Sequence, residues 1–280
     1  MTLEELLKQG EKDLQAAGIE EADLDSWYLL EYVFDIDKVY YLLHKKEEIE
    51  VHKKNAYEDV IKKRARRIPL QHITNRQEFM GHSFYVNENV LIPRQDTEIL
   101  VECIISDWKE NMNKKAMSIL DVCTGSGCII ISLAKELQLE KAAAVDISKA
   151  ALEVAKKNCE QLEVLVELKQ SDLFENVTEQ YDVIVSNPPY IESKEIAKLM
   201  PEVKDHEPIV ALDGKEDGLY FYKKIIAEST HHLKDGGSLY FEIGYNQGLE
   251  VKQMMEAAGF LNVTVEKDLA GLDRIVYGQR

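Results

Sequence analysis

The chain has 280 residues, 45% hydrophobic and 30% charged, with 34 Lys and Arg against 51 Asp and Glu for a net charge of −17. This length suits one large domain plus a smaller one, and the apolar and charged fractions are those of a soluble globular protein. The acidic balance argues against a nucleic-acid partner, because affinity for a phosphate backbone comes from neutralising cations. It points instead to a protein or small-molecule partner. No apolar run approaches the roughly 20 residues of a membrane helix. The start, Met1-Thr2-Leu3-Glu4-Glu5, lacks the basic segment and apolar core of a signal peptide, so a cytoplasmic protein is expected. Cys103, Cys123, Cys128 and Cys159 form no CxxC pair and have no nearby His pattern; neither a metal site nor a disulfide framework is expected. Cys103 and Cys159 read as small buried hydrophobes on helices.

The first 75 or so residues read as helices. Thr2 with Glu5 makes a capping-box start, followed by Leu3, Leu6, Leu7 and Leu14 at helical spacing. After a turn at Gly18 come Trp27, Leu29, Leu30, Val33 and Phe34, then Tyr40 to Leu43, then Val51, Tyr57, Val60 and Ile61, ending at Pro69. A small all-helical domain with its own apolar core is expected. Its one dense basic run, Lys62 to Arg67, is open to two readings. It is either a contact for RNA or an acidic partner, or a solvated helix C-terminus where cations complement the macrodipole; the second is preferred.

From residue 77 to 92 the character changes. Phe79, Phe84, Val86, Val90 and Leu91 surround Gly81 and Asn87-Glu88-Asn89, which predicts a connecting hairpin. Asp96 is placed to cap a helix carrying Ile99, Leu100, Ile104, Ile105 and Trp108. Strands are then expected at Ser118 to Cys123, Ala142 to Asp146, Val164 to Lys169, Tyr181 to Ser186 and Ser238 to Ile243, with two more near Asn262 to Glu266 and Arg274 to Gly278. Helices fall between most of them. Such alternation implies an α/β domain with a mostly parallel sheet covered on both faces, and ligands bind at the carboxyl ends of its strands.

The first strand of that domain runs into Cys123-Thr124-Gly125-Ser126-Gly127-Cys128, a small-residue turn before a helix. Gly125 and Gly127 let backbone approach a ligand closely, and Thr124 and Ser126 add small polar groups. The second strand ends in Asp146, placed to accept from ribose hydroxyls. A dinucleotide fingerprint needs a further Gly where Ile129 stands. The turn therefore favours S-adenosylmethionine, which carries no phosphate, over a dinucleotide. After the third strand, Ser171-Asp172-Leu173-Phe174 offers Asp172 to the adenine amino group and Leu173 to its ring.

The fourth strand runs directly into Asn187-Pro188-Pro189-Tyr190. Two prolines fix φ and make the loop rigid, and held geometry lowers the barrier to an in-line transfer. An amide or exocyclic amino nitrogen is a poor nucleophile because its lone pair is delocalised. The Asn187 side-chain oxygen and the Pro188 carbonyl are two acceptors for its two N–H bonds, which would aim the nitrogen at a methyl donor and favour the charge developing on it. Tyr190 would supply an aromatic wall, and no general base is required before transfer. The tetrapeptide alone leaves open whether the nitrogen belongs to an adenine, a guanine or a protein glutamine.

Other segments narrow the choice. Pro69-Leu70-Gln71-His72-Ile73, Glu78-Phe79-Met80-Gly81, Val90-Leu91-Ile92-Pro93-Arg94 and Asp96-Thr97-Glu98 resemble the linker signature of the release-factor glutamine methyltransferases, the PrmC or HemK family. Asn187 to Ile191, Glu207-Pro208, Ala211-Leu212 and Asp217-Gly218-Leu219 are similar to the family's stretch after the fourth strand. The resemblance implies a Rossmann-like class I methyltransferase domain with a seven-stranded, mostly parallel sheet. A small N-terminal helical domain would join it through a β-hairpin linker, with boundaries at 1–75, 76–95 and 96–280. It implies transfer of a methyl group from S-adenosylmethionine to the glutamine amide in the Gly-Gly-Gln loop of class 1 peptide release factors. Cys123, Thr124, Gly125, Ser126, Gly127 and Asp146 would bind the donor, with Asp172 and Leu173 at the adenine. Asn187, Pro188, Pro189 and Tyr190 would hold the glutamine, Asn187 touching the donor as well. Catalysis would fall to Asn187, Pro188 and Tyr190. The helical domain would dock the release factor, and a monomer is expected. Where the family's pattern has Gly, Pro and Gly, this chain has Cys123, Gln95 and Lys215, and an aromatic residue commonly stands at the Leu173 position. The Cys123 side chain is accordingly expected to turn away from the methionine end of the donor. The alternative function is methylation of a nucleic-acid amino group.

Overall fold

Thr2 starts the first helix as its sequence dictates: its hydroxyl accepts from the Glu5 backbone N–H at 3.3 Å, and its own N–H donates to the Glu5 carboxylate at 3.0 Å. The computed structural model describes residues 1–110 and 116–280, which form two units. One comprises residues 1–76 with 200–206, the other 77–199 with 207–280.

The first unit contains α1 (Leu3–Ala16), α2 (Ala22–Phe34), α3 (Lys38–His44), α4 (Val51–Ala65) and α5 (Leu70–Thr74), together with the short helix Pro201–Lys204. Leu3, Leu6, Leu14, Leu29, Leu30, Tyr57 and Ile61 form its core. Gly10 makes room for Tyr57, since a Cβ there would stand 2.3 Å from the phenol oxygen, and the Tyr57 hydroxyl donates to the Ser26 carbonyl at 3.0 Å. The helix α3 joins this core only through Tyr41, partly buried with its ring edge-on to Trp27 at 5.3 Å between centroids. None of its residues is buried, and Leu42 and Leu43 are 64% and 75% exposed. The helix is also held by its Asp37 cap, which accepts from the Tyr40 N–H at 2.7 Å.

The basic run at the end of α4 also departs from the solvated reading. Lys62, Lys63 and Arg66 face solvent, but Arg64 is buried. Its guanidinium donates to Asp25 at 2.6 Å and to Glu202 at 2.9 Å. Arg67 reaches Glu202 at 3.2 Å and the Gly18 carbonyl at 2.8 Å. Two of the run's cations are thus engaged inside the unit.

A hairpin, all but its first residue in the second unit, pairs β1 (Arg76–Phe79) with β2 (His82–Tyr85). Its two turn residues, Met80 and Gly81, have φ of 49° and 71°, the sign that tight hairpin turns demand. Next come α6 (Gln95–Glu110), β3 (Met117–Val122), α7 (Cys128–Glu136), β4 (Leu139–Asp146), α8 (Lys149–Gln161), β5 (Glu167–Gln170) and β6 (Tyr181–Ser186). They are followed by α9 (Tyr220–His232), β7 (Leu233–Glu242), α10 (Gly248–Ala257), β8 (Leu261–Lys267) and β9 (Asp273–Gln279). α6 begins at Gln95, so Asp96 lies in its first turn rather than capping it. β5 starts later than the expected Val164, because the chain still closes α8 through the Val164 N–H to the Cys159 carbonyl, with Glu163 at φ 55°.

The sheet has seven strands in the order β5-β4-β3-β6-β7-β9-β8, parallel except for β9, which runs against both its neighbours. This is the Rossmann-like, mostly parallel sheet expected. Strand residues alternate between faces. Ile119, Val183, Val185 and Tyr240 pack with Leu100, Ile104 and Ile130 on one side; Leu120, Ile184 and Phe241 pack with Tyr222, Ile225 and Val251 on the other.

Candidate active site

The parallel strands end in step. Val145, Val122, Ser186 and Phe241 are register partners across β4, β3, β6 and β7. One residue further, Asp146, Cys123, Asn187 and Glu242 form the next row at the carboxyl edge. Strand order reverses at β3, which is where ligands enter a doubly wound sheet.

A cleft of about 120 Å³ opens at this edge, and its concave, mostly apolar wall with a few polar groups is that of a small-molecule site. Cys123, Thr124, Gly125, Ser126, Asp146, Asp172, Leu173, Asn187 and Pro189 are on its lining. Gly127, Pro188 and Tyr190 are not. Gly127 lies behind the turn, where a Cβ would meet Ile131 at 3.0 Å and Ala155 at 3.3 Å. Gly125 does the opposite: it sits at φ 56°, and a Cβ there would meet nothing within 4 Å, so bare backbone faces the cleft.

The turn is braced from beneath. The Thr124 hydroxyl donates to Asp121 at 2.6 Å, and the Asn158 side chain donates to the Ser126 carbonyl at 2.9 Å. Asp121 is fully buried, and burial pushes its carboxyl up to about 7 despite the Thr124 bond. Asp146 accepts from the Gly125 N–H at 2.9 Å and the Ser148 N–H at 2.8 Å. Burial raises its pKa, with those N–H groups opposing. Each Asp146 oxygen keeps a lone pair for a ligand hydroxyl. Cys123 holds φ 64°, the left-handed conformation that favours glycine. Its side chain packs with the Leu120 face of the sheet while also reaching the cleft.

The lining's charges select the ligand. Asp146 and Asp172 are its acids, and Arg94 is its cation. Arg94 donates to buried Glu207 at 2.6 Å, whose carboxyl burial still pushes upward against that pairing. A dinucleotide's pyrophosphate would find no free cation among these residues. A phosphate-free ligand bearing a sulfonium charge suits them, with half-exposed Ile147 and buried Leu173 as apolar surface.

On the acceptor side, the Ser186 hydroxyl donates to the Val122 carbonyl at 2.6 Å, locking the end of β6. The Asn187 side-chain N–H donates to the Thr97 hydroxyl at 3.4 Å, a weak bond that leaves the amide oxygen available. The following loop requires glycine, since a Cβ on Gly218 would stand 2.5 Å from the Tyr190 carbonyl oxygen and one on Gly214 would stand 2.7 Å from its backbone. The Gln247 amide clamps the same loop through the Tyr190 and Gly218 carbonyls at 3.1 and 3.2 Å. The Tyr190 ring is half-buried, with its hydroxyl 3.5 Å from Glu242.

The sequence reading assigns no role to Glu242, Asp121 or Gln247, and Thr97 enters it only as part of a motif. A signal existed for the two acids: each interrupts an otherwise apolar strand, Ile119-Leu120-Asp121-Val122 and Leu239-Tyr240-Phe241-Glu242-Ile243. A buried carboxylate is costly unless it is paired and hydrogen-bonded, so one at the edge of a ligand cleft is a candidate for function.

Two family models match the chain, the PrmC N-terminal domain over residues 5–74 and the methyltransferase small domain over residues 95–203. Among solved structures, the catalytic domain of hMettl16 in complex with a 3'UTR hairpin superposes with a TM-score of 0.58 at 21% identity, covering 76% of this chain and 80% of that one; at that identity the likeness is one of fold. A release factor glutamine methyltransferase of Clostridium botulinum is 38% identical over all of both chains. One of Clostridium acetobutylicum is 43% identical over 91% of this chain and 90% of its own. The chain belongs to the release factor glutamine methyltransferase family.

Proposed function

We propose that this chain methylates the side-chain amide nitrogen of the glutamine in the Gly-Gly-Gln motif of class 1 peptide release factors, with S-adenosylmethionine as donor. The observation that carries the reading is the placement of Asn187 on the same cleft as the Thr124–Gly125 turn and Asp146, with its amide oxygen uncommitted. When bound, the donor supplies a methyl group activated on a sulfonium. Thr124, Gly125, Ser126 and Asp146 hold it, with Cys123 and Gly127 shaping the turn and Asp172 and Leu173 beside the adenine. Asn187 Oδ1 and the Pro188 carbonyl accept the glutamine's two N–H bonds. That fixes the nitrogen's direction and stabilises positive charge as it appears. Pro189 stiffens the loop, and Tyr190 anchors it from behind.

The helical unit docks the release factor, and the enzyme works as a monomer in the cytoplasm. No described helix is long and apolar enough to cross a membrane. A nucleic-acid substrate is disfavoured by the net charge of −17 and by the internal pairing of Arg64 and Arg67. Labelled donor offered with release factor, free ribosomal RNA and DNA in parallel tests the reading. Label is expected in the release factor alone, and label confined to nucleic acid would overturn it.

A further inference from the structure

The mechanism so far leaves one buried carboxyl at the acceptor site without a task. Glu242 ends β7 in the row beside Asn187 and is 1% exposed. No ion pair to it forms within 4 Å among the described residues. Its Oε1 lies 3.5 Å from the Tyr190 hydroxyl, and its Oε2 is buried without a hydrogen-bond partner. Thr97 and Asn187 both favour its charged form, while the Asn187 side-chain N–H itself meets the Thr97 hydroxyl at 3.4 Å. Other groups face it from each neighbouring element. Arg274 on β9 favours its charge and Asp96 on α6 opposes it. Tyr190, Tyr222 on α9 and Cys128 on α7 feel its field in turn. Arg274 is itself drawn off by Asp268 at 3.0 Å and Asp96 at 3.2 Å.

An asparagine amide has two nearly isosteric ends, one donating and one accepting. Only the accepting end can take an N–H from a substrate amide. Something must therefore fix which end faces the cleft. We infer that Glu242 is a positioning residue: its carboxylate, with the Thr97 hydroxyl, holds the NH2 end of Asn187 toward the protein and so presents Oδ1 to the acceptor nitrogen. Reversing the amide would set Oδ1 against a carboxylate in a water-poor interior, where like partial charges repel strongly. Protonating the carboxyl removes this discrimination, because a neutral acid donates to Oδ1 as readily as it accepts from Nδ2. Burial pushes the Glu242 carboxyl up to about 7, so the switch falls within the range of ordinary assays. The same negative charge lies behind the site where positive charge develops on nitrogen. The inference rests on the reading of Asn187 as the amide clamp.

The test is the pH dependence of kcat at saturating donor and release factor. In the unaltered enzyme kcat is expected to rise through about pH 7. Glu242→Gln should lower kcat at least about tenfold at pH 8, the scale of losing one charged group's hold on the Asn187 amide. It should also flatten that rise and leave both KM values within about twofold. Thr97→Val should lower kcat but keep the rise, because the carboxylate remains. Asp121→Asn should act on the donor KM instead, since Asp121 braces the donor turn. A Glu242→Gln enzyme that binds donor normally and keeps the original kcat and pH profile overturns the inference. So does a flat profile in the unaltered enzyme, which needs no variant to fold. If Asn187→Ala leaves the rate unchanged, the amide-clamp reading itself fails; if that variant is inactive while Glu242→Gln is normal, only the role of Glu242 fails.

Discussion

Two buried glutamates, one in each unit, have opposite fates. Glu202 of the helical unit is 9% exposed and meets two guanidiniums, Arg64 at 2.9 Å and Arg67 at 3.2 Å. Burial pushes its carboxyl upward, but its own backbone N–H and the two arginines outweigh that and hold it below the usual range. Glu242 of the sheet unit is 1% exposed, has no cation at ion-pair distance among the described residues, and is pushed up to about 7. Each keeps one buried oxygen unsatisfied, so burial alone does not separate them. The counter-charge does. A compensated carboxylate is a structural strut; an uncompensated one at the edge of a ligand cleft is retained at a cost to stability, which points to use. The signs follow. Pairing of Glu202 stabilises its unit above the ordinary carboxylate range, and that contribution is lost as pH falls. Glu242 favours the folded state fully below its unfolded value near 4.5, a contribution lost as pH rises through about 7.

Substitutions can break this contrast, beginning with the largest effect. Asn187→Ala should reduce methyl transfer about 10³-fold, the scale of losing a charge-stabilising acceptor, with donor binding by calorimetry retained. In the helical unit, Arg64→Met leaves Asp25 and Glu202 short of their shared cation and should cost about 3–4 kcal/mol in urea unfolding at neutral pH; a cost below about 1 kcal/mol would remove Glu202 from the strut class. Glu242→Gln should do the reverse, stabilising the protein at pH 8 relative to pH 5 by up to about 3 kcal/mol, from a carboxyl shifted between 4.5 and about 7. Equal unfolding midpoints at the two pH values would show that Glu242 is compensated after all. Asp146→Ala should weaken donor affinity about 100-fold, or roughly 3 kcal/mol at most. Smallest of all, Cys123→Gly relieves a left-handed residue but adds freedom to the unfolded chain, so its net effect should stay within about 1 kcal/mol in thermal unfolding.

The contrast also marks what could be read from the chain. Strand alternation, the hairpin at Met80-Gly81 and the strand-to-turn passages after Val122 and Ser186 are local patterns, and local patterns survive in sequence. Deviations from the family's pattern were legible too, once backbone angles supply the reason. Cys123 and Lys215, read as departures from glycine, hold φ 64° and 72°, angles that favour glycine, and Gln95, read as a departure from proline, opens α6, a first helical position that suits proline. The partner of a charge could not be read. Arg64 finds Glu202 across 138 residues and Arg94 finds Glu207 across 113, so from sequence alone the basic run reads as solvated. The exposure of α3 is hidden for the same reason: Leu42 and Leu43 are apolar neighbours in a helix, but whether a face is covered depends on distant chain.

Mass spectrometry of a class 1 release factor after incubation with this protein and S-adenosylmethionine tests the central claim most directly. The account predicts one added methyl group, on the side-chain amide of the Gly-Gly-Gln glutamine, absent with Asn187→Ala. A methyl group on any other residue, or none under conditions where nucleic acid is methylated, would contradict it.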